Sequence, residues 1–129
     1  MKMILIFLSM IFCHIVDDYY LQGWLASVKQ KSWWEKNAPE KLYRNDYIMA
    51  LIMHSFSWSF MIMIPIILYL IISGIGLQEW IVIPYFVNMA IHCIVDDLKA
   101  NKKRINLIQD QCIHLVQILA TWVAFVIFY

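Results

Sequence analysis

Four long apolar runs, separated by short polar segments, set the pattern of the chain. The runs cover residues 3–16, 47–75, 80–95 and 107–129. A helix needs about 20 predominantly apolar residues to cross the hydrocarbon core of a bilayer. The second and fourth runs have this length, and the first and third reach it if polar residues at their ends enter the membrane boundary. The pattern therefore predicts an all-α integral membrane protein with four transmembrane helices in a single domain, 1–129.

The first run has a second interpretation, as a cleaved signal peptide with Lys2 as its basic beginning. A signal peptide ends in a cleavage site flanked by small residues. Here the run leads instead into Asp17 and Asp18 and then two tyrosines. We therefore favour a membrane helix that continues across the two aspartates to about residue 24.

The composition excludes a soluble globular protein. Of the 129 residues, 63% are hydrophobic and 15% are charged, whereas a soluble domain is roughly 45–50% apolar and about 25% charged. A chain this short cannot bury so much apolar surface, so its partner is the lipid bilayer. The formal net charge of +1 gives no signal for a nucleic-acid partner.

Basic residues concentrate in two of the three connections. Nine of the ten Lys and Arg are Lys29, Lys31, Lys36, Lys41 and Arg44 in one connection, and Lys99, Lys102, Lys103 and Arg104 in another. Basic loops stay in the cytoplasm, so we expect a multi-pass protein of the cell membrane with both termini outside. The first basic loop, at about 24–46, also carries Trp24, Trp33 and Trp34, which suit the membrane interface.

The four histidines are the main candidates for chemistry, because one falls on each predicted helix. They are His14, His54, His92 and His114. In an up-down-up-down bundle all four lie toward the cytoplasmic side. At about 1.5 Å per residue, His54, His92 and His114 lie about 12, 10 and 15 Å from the nearest basic loop. We therefore expect one inward-facing layer of histidines.

Aspartates stand four residues from three of these histidines. The pairs are His14 with Asp18, His92 with Asp96, and Asp110 with His114. This spacing stacks two side chains on one helix face about 5–6 Å apart. Asp17 and Asp97 adjoin the pairs without sharing the spacing. Four imidazoles and three carboxylates are ligand types of zinc, manganese or iron, and are numerous enough for two ions.

Other interpretations of these residues stay open. The pairs can be interhelical hydrogen bonds that hold the bundle together. Two histidines can also hold a haem, although a haem pocket has no use for three nearby carboxylates. Cys13, Cys93 and Cys112 share no helix face with the neighbouring histidine and fit buried small hydrophobes better than ligands.

An internal similarity indicates that the chain is built from two related halves. Residues 13–18 and 91–97 both carry a histidine followed by Ile-Val-Asp-Asp or a close variant, and each precedes a basic loop and a helix with an early histidine. This predicts two repeated helical hairpins of the same orientation, related by an axis along the membrane normal.

Four motifs in order resemble one known family. They are His-x-x-x-Asp-aromatic-x-Leu-Gln at His14, Asp18, Tyr19, Leu21 and Gln22; the early histidine His54; His-x-x-x-Asp-x-x-Lys at His92, Asp96 and Lys99; and Asp-Gln-x-x-His at Asp110, Gln111 and His114. In these motifs the chain resembles the domain of unknown function 3307 family of small bacterial and phage membrane proteins. The resemblance spans nearly the whole chain. It implies membrane residence and an important His/Asp set, and it favours Asp18 over Asp17 and Asp96 over Asp97.

The functional hypothesis is a membrane-embedded, metal-dependent hydrolase of a phosphorylated or lipid-linked substrate at the cytoplasmic leaflet. Metal ions activate water and hold phosphate oxygens. The run Lys99, Lys102, Lys103 and Arg104 would contact the phosphate or lipid headgroup, although solvated charge that sets orientation is the better explanation for any single one of these residues.

Two other classes of function remain. The polar layer can serve a proton or metal transporter, but the almost wholly apolar outer halves of the helices argue against a pore in one molecule, which leaves an assembly of copies. The basic loop, with its tryptophans, can instead belong to a non-catalytic membrane adaptor or a phage-type effector.

Overall fold

The computed structural model describes residues 1–77 and 79–128, and these residues are helical throughout apart from short connections. The helices are α1 (Lys2–Ile15), α2 (Leu25–Val28), α3 (Lys31–Asn37), α4 (Asp46–Ile72), α5 (Val82–Ala100) and α6 (Leu107–Phe128). A π-helical turn, Val16–Leu21, continues α1, and 3-10 turns precede α4 and α5. The all-α prediction is confirmed for the described residues.

Within the described residues, four helical segments are long and apolar enough to cross a membrane. They are Lys2–Leu21, Lys41–Ile72, Glu79–Ala100 and Leu107–Phe128. Each carries exposed large apolar side chains, such as Phe12, Phe60, Val87 and Val116. An apolar outer surface of this extent suits lipid rather than water. The chain is a multi-pass membrane protein with four candidate spans.

The ends of the spans differ slightly from the apolar runs. α4 ends at Ile72, because Gly74 takes a positive φ of 71°, and a left-handed glycine closes many helices. α5 continues past the apolar run to Ala100, so its last turns carry Asp96 and Lys99. Tyr129, at the end of the fourth run, lies outside the described residues.

The interior of the bundle divides into an apolar part and a polar layer. Apolar side chains pack together in one part, around Met10, Trp58, Ile62, Ile66 and Phe125. Trp58 also contacts the polar layer, because its ring stacks on that of His92 with 4.2 Å between the centroids. The buried tryptophan therefore separates the apolar core from the histidines.

The two basic segments meet at one end of the bundle, which we call the basic end. The Asn101 side chain, just after α5, accepts a hydrogen bond from the backbone N–H of Lys31 at 2.7 Å. It also donates to the backbone oxygen of Lys29 at 3.2 Å. These bonds hold the loop that contains α2 and α3 against the last turn of α5.

Candidate metal centre

The four histidines form one buried layer, as their depths along the sequence predict. Each comes from a different span, and each is at most 2% exposed. The ring centroids of His92 and His114 are 4.1 Å apart, those of His54 and His92 5.0 Å, and those of His14 and His114 5.9 Å. The prediction of a shared layer is confirmed.

A first group of three side chains could hold a metal ion: Asp18, His54 and His92. His54 Nε2 lies 3.2 Å from His92 Nε2 and 3.3 Å from Asp18 Oδ1. Asp96 Oδ2 is 3.4 Å from the same nitrogen. Around a tetrahedral zinc with bonds of about 2.0–2.1 Å, neighbouring ligand atoms lie about 3.3 Å apart. The distances from His54 Nε2 to the other three donor atoms match those between neighbouring ligands of one ion.

A second group shares a histidine with the first and comprises His92, Asp96 and His114. Asp96 presents its two oxygens to different histidines, with Oδ2 near His54 and Oδ1 3.8 Å from His114 Nε2. A carboxylate in this position can bridge two ions. The two His/Asp triads are therefore adjacent, and Asp96 lies between them.

The hydrogen bonds of His114 indicate which ring nitrogen is free. The Gln117 amide nitrogen donates to the backbone oxygen of Asn88 at 3.1 Å, so Gln117 Oε1 is the acceptor that faces His114 Nδ1, 3.1 Å away. His114 Nδ1 therefore carries the hydrogen, and Nε2 is left with a lone pair. That nitrogen is buried without a hydrogen-bond partner and lies 3.5 Å from Asp110 Oδ1. In a neutral ring this lone pair would face a carboxylate, which is repulsive, and either a proton on Nε2 or a metal ion between the two atoms removes that repulsion.

His14 belongs to the layer but not to either triad. Its Nδ1 accepts a hydrogen bond of 2.8 Å from the Trp58 indole, and its Nε2 lies 3.0 Å from Gln111 Oε1. A neutral imidazole has one donor and one acceptor nitrogen, so both are used here. The structure gives His14 a hydrogen-bonding position rather than a free ligand atom.

Asp110 joins the layer through Gln111 and Lys99. The Gln111 amide nitrogen donates to Asp18 Oδ2 and to Asp110 Oδ2, each at 3.0 Å. The Lys99 ammonium donates to the same Asp110 oxygen at 2.6 Å. The other oxygen, Asp110 Oδ1, is buried without a hydrogen-bond partner. Asp110 thus lies beside the triads, with one oxygen free.

Asp17 also lies in the buried layer, although no histidine stands four residues from it in the sequence. It is buried, its Oδ1 accepts a hydrogen bond from Ser57 at 2.7 Å, and its Oδ2 lies 3.8 Å from His54 Nδ1. The π-helical turn Val16–Leu21 explains this position. In a π-helix successive side chains diverge less than in an α-helix, so Asp17 and Asp18 both reach the His54 ring.

Lys29 is a second unexpected member, because it comes from the loop. Its side chain is only 8% exposed, and its ammonium lies 2.5 Å from Asp96 Oδ2. No hydrophobic periodicity marks this lysine among the basic residues of the loop. One local feature fits its burial: Lys29 follows the apolar residues Leu25, Ala26 and Val28.

The four basic residues assigned to phosphate contact occupy different environments. Lys99 is part of the layer, through Asp110. Lys102 pairs with Asp97 at 2.8 Å and is 54% exposed. Lys103 and Arg104 are exposed at the basic end. Only the first of them adjoins the candidate metal centre.

The cysteines take no part in either triad. The three are free thiols, and none belongs to the metal-binding groups found in the described part of the chain. The interpretation as buried residues is wrong for Cys112, which is exposed, and Cys13 and Cys93 are half-buried. Their helix faces point partly outward, away from the histidine layer.

Formal charge in the layer leaves room for a divalent cation. Four carboxylates are at most 5% exposed, those of Asp17, Asp18, Asp96 and Asp110. Lys29 and Lys99 contribute two positive charges against these four negative ones. With neutral imidazoles, two negative charges remain. Buried charge without a partner is costly, so one divalent ion or two protons on histidines would balance the layer.

Comparison with known proteins gives no relative from which a role could be transferred. No family model matches the chain, and no curated protein and no solved structure is significantly similar to it.

Proposed function

We propose that this protein binds a divalent metal ion, zinc, manganese or iron, within the membrane, with Asp18, His54, His92 and Asp96 as ligands. The observation that carries the proposal is the set of three donor atoms 3.2–3.4 Å from His54 Nε2. Mixed imidazole and carboxylate ligands suit these metals. One divalent ion also balances the two negative charges that the lysines leave.

A second ion would bind at the second triad, His92, Asp96 and His114. His92 cannot hold two ions close together, because metals on opposite nitrogens of one imidazole lie about 6 Å apart, beyond the roughly 3.5–4 Å of two-metal hydrolytic sites. Asp96 supports a shorter arrangement, with one oxygen toward each triad. A two-ion centre would carry a net positive charge and would therefore need an anion.

The proposed activity is metal-dependent hydrolysis of a phosphorylated or lipid-linked substrate. A bound divalent ion holds a phosphate oxygen and makes water a better nucleophile. The water oxygen forms a bond to phosphorus, the ester P–O bond breaks, and the water proton passes to the leaving oxygen. Asp110 Oδ1, buried and without a partner, is our candidate to carry that proton.

We place the reaction at the cytoplasmic leaflet, with the basic end of the bundle in the cytoplasm. The positive charge of the segments 29–44 and 99–104 supports this orientation. We also retain the relationship to the domain of unknown function 3307 family as a proposal. Its motif residues Asp18, His54, His92 and Asp96 are the four donors that the fold brings together.

Elemental analysis of protein purified in detergent tests the metal proposal, with two histidine variants as a matched pair. We expect about one equivalent of metal in the parent and a loss of most of it in His54→Gln, because an amide is a poor ligand for these ions. His14→Gln should keep its metal, since both nitrogens of His14 have hydrogen-bond partners. A parent that instead holds two equivalents would indicate a second ion, and His114→Gln should then lower the content to one.

The metal proposal would be contradicted if the purified parent contained no metal, or if His54→Gln contained as much metal as the parent. A transporter of protons is then the better function, and one observation favours it. Hydrogen bonds run from His114 through Gln117 and Asn88 to Thr121, away from the basic end. This polar chain connects the layer to the otherwise apolar half of the bundle.

A further inference from the structure

Two neighbouring cavities lie on the side of the bundle formed by α1 and α6. The first, which we call the polar cavity, has a volume of about 370 Å³ and is lined by Asp18, Gln22, Lys29, Lys99 and Gln111 among others. The second, the apolar groove, has a volume of about 460 Å³ and is lined mainly by Ile11, Ile15, Tyr20 and Leu115. Tyr19 and Gln111 line both. The two cavities are therefore adjacent.

The polar cavity suits an anion that reaches the candidate metal centre. Lys29 and Lys99 line it, and each ammonium has three N–H donors, of which the structure pairs one with Asp96 or Asp110. Asp18, a member of the first triad, lines the same cavity. Metal binding by Asp96 would weaken the ion pair between its carboxylate and the Lys29 ammonium. An anionic group in the cavity would therefore lie beside both the metal ligands and the two lysines.

The apolar groove suits a hydrocarbon chain. Ile15 and Leu115 are each 41% exposed on spans that face lipid. The groove therefore opens toward the lipid, and it adjoins the polar cavity at Gln111. A soluble phosphate ester would leave this groove without an occupant, whereas an amphiphile would fill both parts.

We propose that the adjacent polar cavity and apolar groove bind one lipid phosphate monoester, with its phosphate at Lys29 and Lys99 and one chain between α1 and α6. This inference rests on the proposed function, because it names the substrate class of the same centre. Charge at the cavity wall favours an anionic phosphate monoester, because the charged residues that line the polar cavity are two lysines and one aspartate. A zwitterionic headgroup lacks that net charge, and a soluble phosphate lacks the chain.

Lipid binding to the full chain in detergent, measured by native mass spectrometry, tests the proposal. The probes are phosphatidic acid, phosphatidylcholine with the same chains, and glycerol 3-phosphate. We expect phosphatidic acid to bind about tenfold more tightly than phosphatidylcholine, and glycerol 3-phosphate at equal concentration not to displace it. Equal binding of the two lipids would overturn the proposal, because it indicates non-specific contact with the apolar surface.

Two substitutions separate the headgroup from the chain, each with a matched control. Lys99→Gln keeps a hydrogen-bond donor for Asp110 and removes the charge, and it should weaken phosphatidic acid binding about tenfold, as loss of a charge-assisted bond does. Lys102→Gln removes an exposed charge that does not line the cavity and should leave binding unchanged. Leu115→Trp should block the groove, whereas Leu68→Trp, on the lipid-facing surface of α4, should not.

Binding is read without turnover, so this inference can fail separately from the metal proposal. We expect His54→Gln, which should lack metal and keep two excess negative charges in the layer, to bind phosphatidic acid more weakly than the parent, whereas Leu115→Trp should lose lipid binding with its metal retained. If Lys99→Gln and Leu115→Trp bind like their controls, the lipid site is wrong even when the parent contains metal. If the parent lacks metal but shows the lipid preference, the hydrolase proposal is wrong and the lipid site stands.

Discussion

A histidine can bind a metal only through a ring nitrogen whose lone pair is free, and the hydrogen bonds of this layer sort its histidines on that basis. His14 uses both nitrogens, toward Trp58 and Gln111. His114 uses Nδ1 toward Gln117 and leaves Nε2 without a partner. His14 and His114 both have an aspartate four residues away in the sequence, and the difference between them comes from which polar neighbours the fold supplies.

Asp17 is expected to tune His54 rather than bind the ion. Its Oδ2 lies 3.8 Å from His54 Nδ1, on the far side of the ring from the donor atoms of the triad. A carboxylate in that place orients a metal-bound imidazole, and its loss typically lowers metal affinity about 10–100-fold. We therefore expect Asp17→Asn to weaken metal binding by about that factor, measured by competition with a chromophoric chelator.

The control for Asp17 is the corresponding residue of the second Asp-Asp pair. Asp97 pairs with the exposed Lys102 and makes no contact with a histidine in the described structure. Asp97→Asn should bind metal like the parent. Equal affinities in Asp17→Asn and Asp97→Asn would show that Asp17 has no part in the centre.

At the scale of the elements, the sequence predicts the spans and the depth of the histidines, but not every neighbour of the layer. Long apolar runs mark helices in lipid because each must cover the same membrane thickness. The fixed rise of a helix then places one histidine of each span at a common depth. The burial of Asp17 in the layer could not be predicted in this way, because the π-helical turn changes the rotation between neighbouring side chains.

The burial of Lys29 could not be predicted from the sequence for a different reason. Its position depends on how the loop between the first two spans folds back, and local periodicity does not encode such long-range contact. Asn101 holds that loop from the end of α5. The result is a buried ion pair between Lys29 and Asp96, two residues separated by 67 positions.

Removal of the Lys29 charge should destabilise the metal-free protein more than the metal-loaded one. Breaking a buried ion pair by removing one partner costs about 3–5 kcal/mol, because the other charge remains buried. In Lys29→Met the Asp96 carboxylate is left without its ammonium, and a bound divalent ion would compensate for that loss. Thermal unfolding in detergent, with and without a chelator, measures the difference.

Lys31→Met is the matched control in the same loop. Lys31 pairs with Glu35 at 3.7 Å on the surface, and exposed pairs of this kind contribute little to stability. Its unfolding temperature should stay close to that of the parent in both conditions. A Lys29→Met protein that unfolds like Lys31→Met would mean that the buried pair does not stabilise the layer.

At the scale of the whole molecule, charge and polarity are unevenly distributed along the membrane normal. The basic segments and most of the aspartates lie toward one end of the bundle, while the connection at 73–77 carries no charge. The buried polar layer lies on the basic side of Trp58, and the apolar core lies on the other. This asymmetry connects the orientation of the protein to the leaflet that the candidate metal centre can serve.

Reporter fusions should place the basic end in the cytoplasm. Lys and Arg in short loops resist transfer across the membrane, and nine of the ten such residues lie in the two basic segments. We expect a fluorescent protein joined within 38–45 to be active, and alkaline phosphatase to be active when joined at 75–77 or after residue 129.

Neutralising Lys102, Lys103 and Arg104 together should weaken this preference for one orientation, because it removes most of the charge of the second segment. The opposite pattern, with phosphatase active within 38–45, would move the histidine layer and the lipid site to the outer leaflet, and a substrate at the cytoplasmic leaflet would then be excluded.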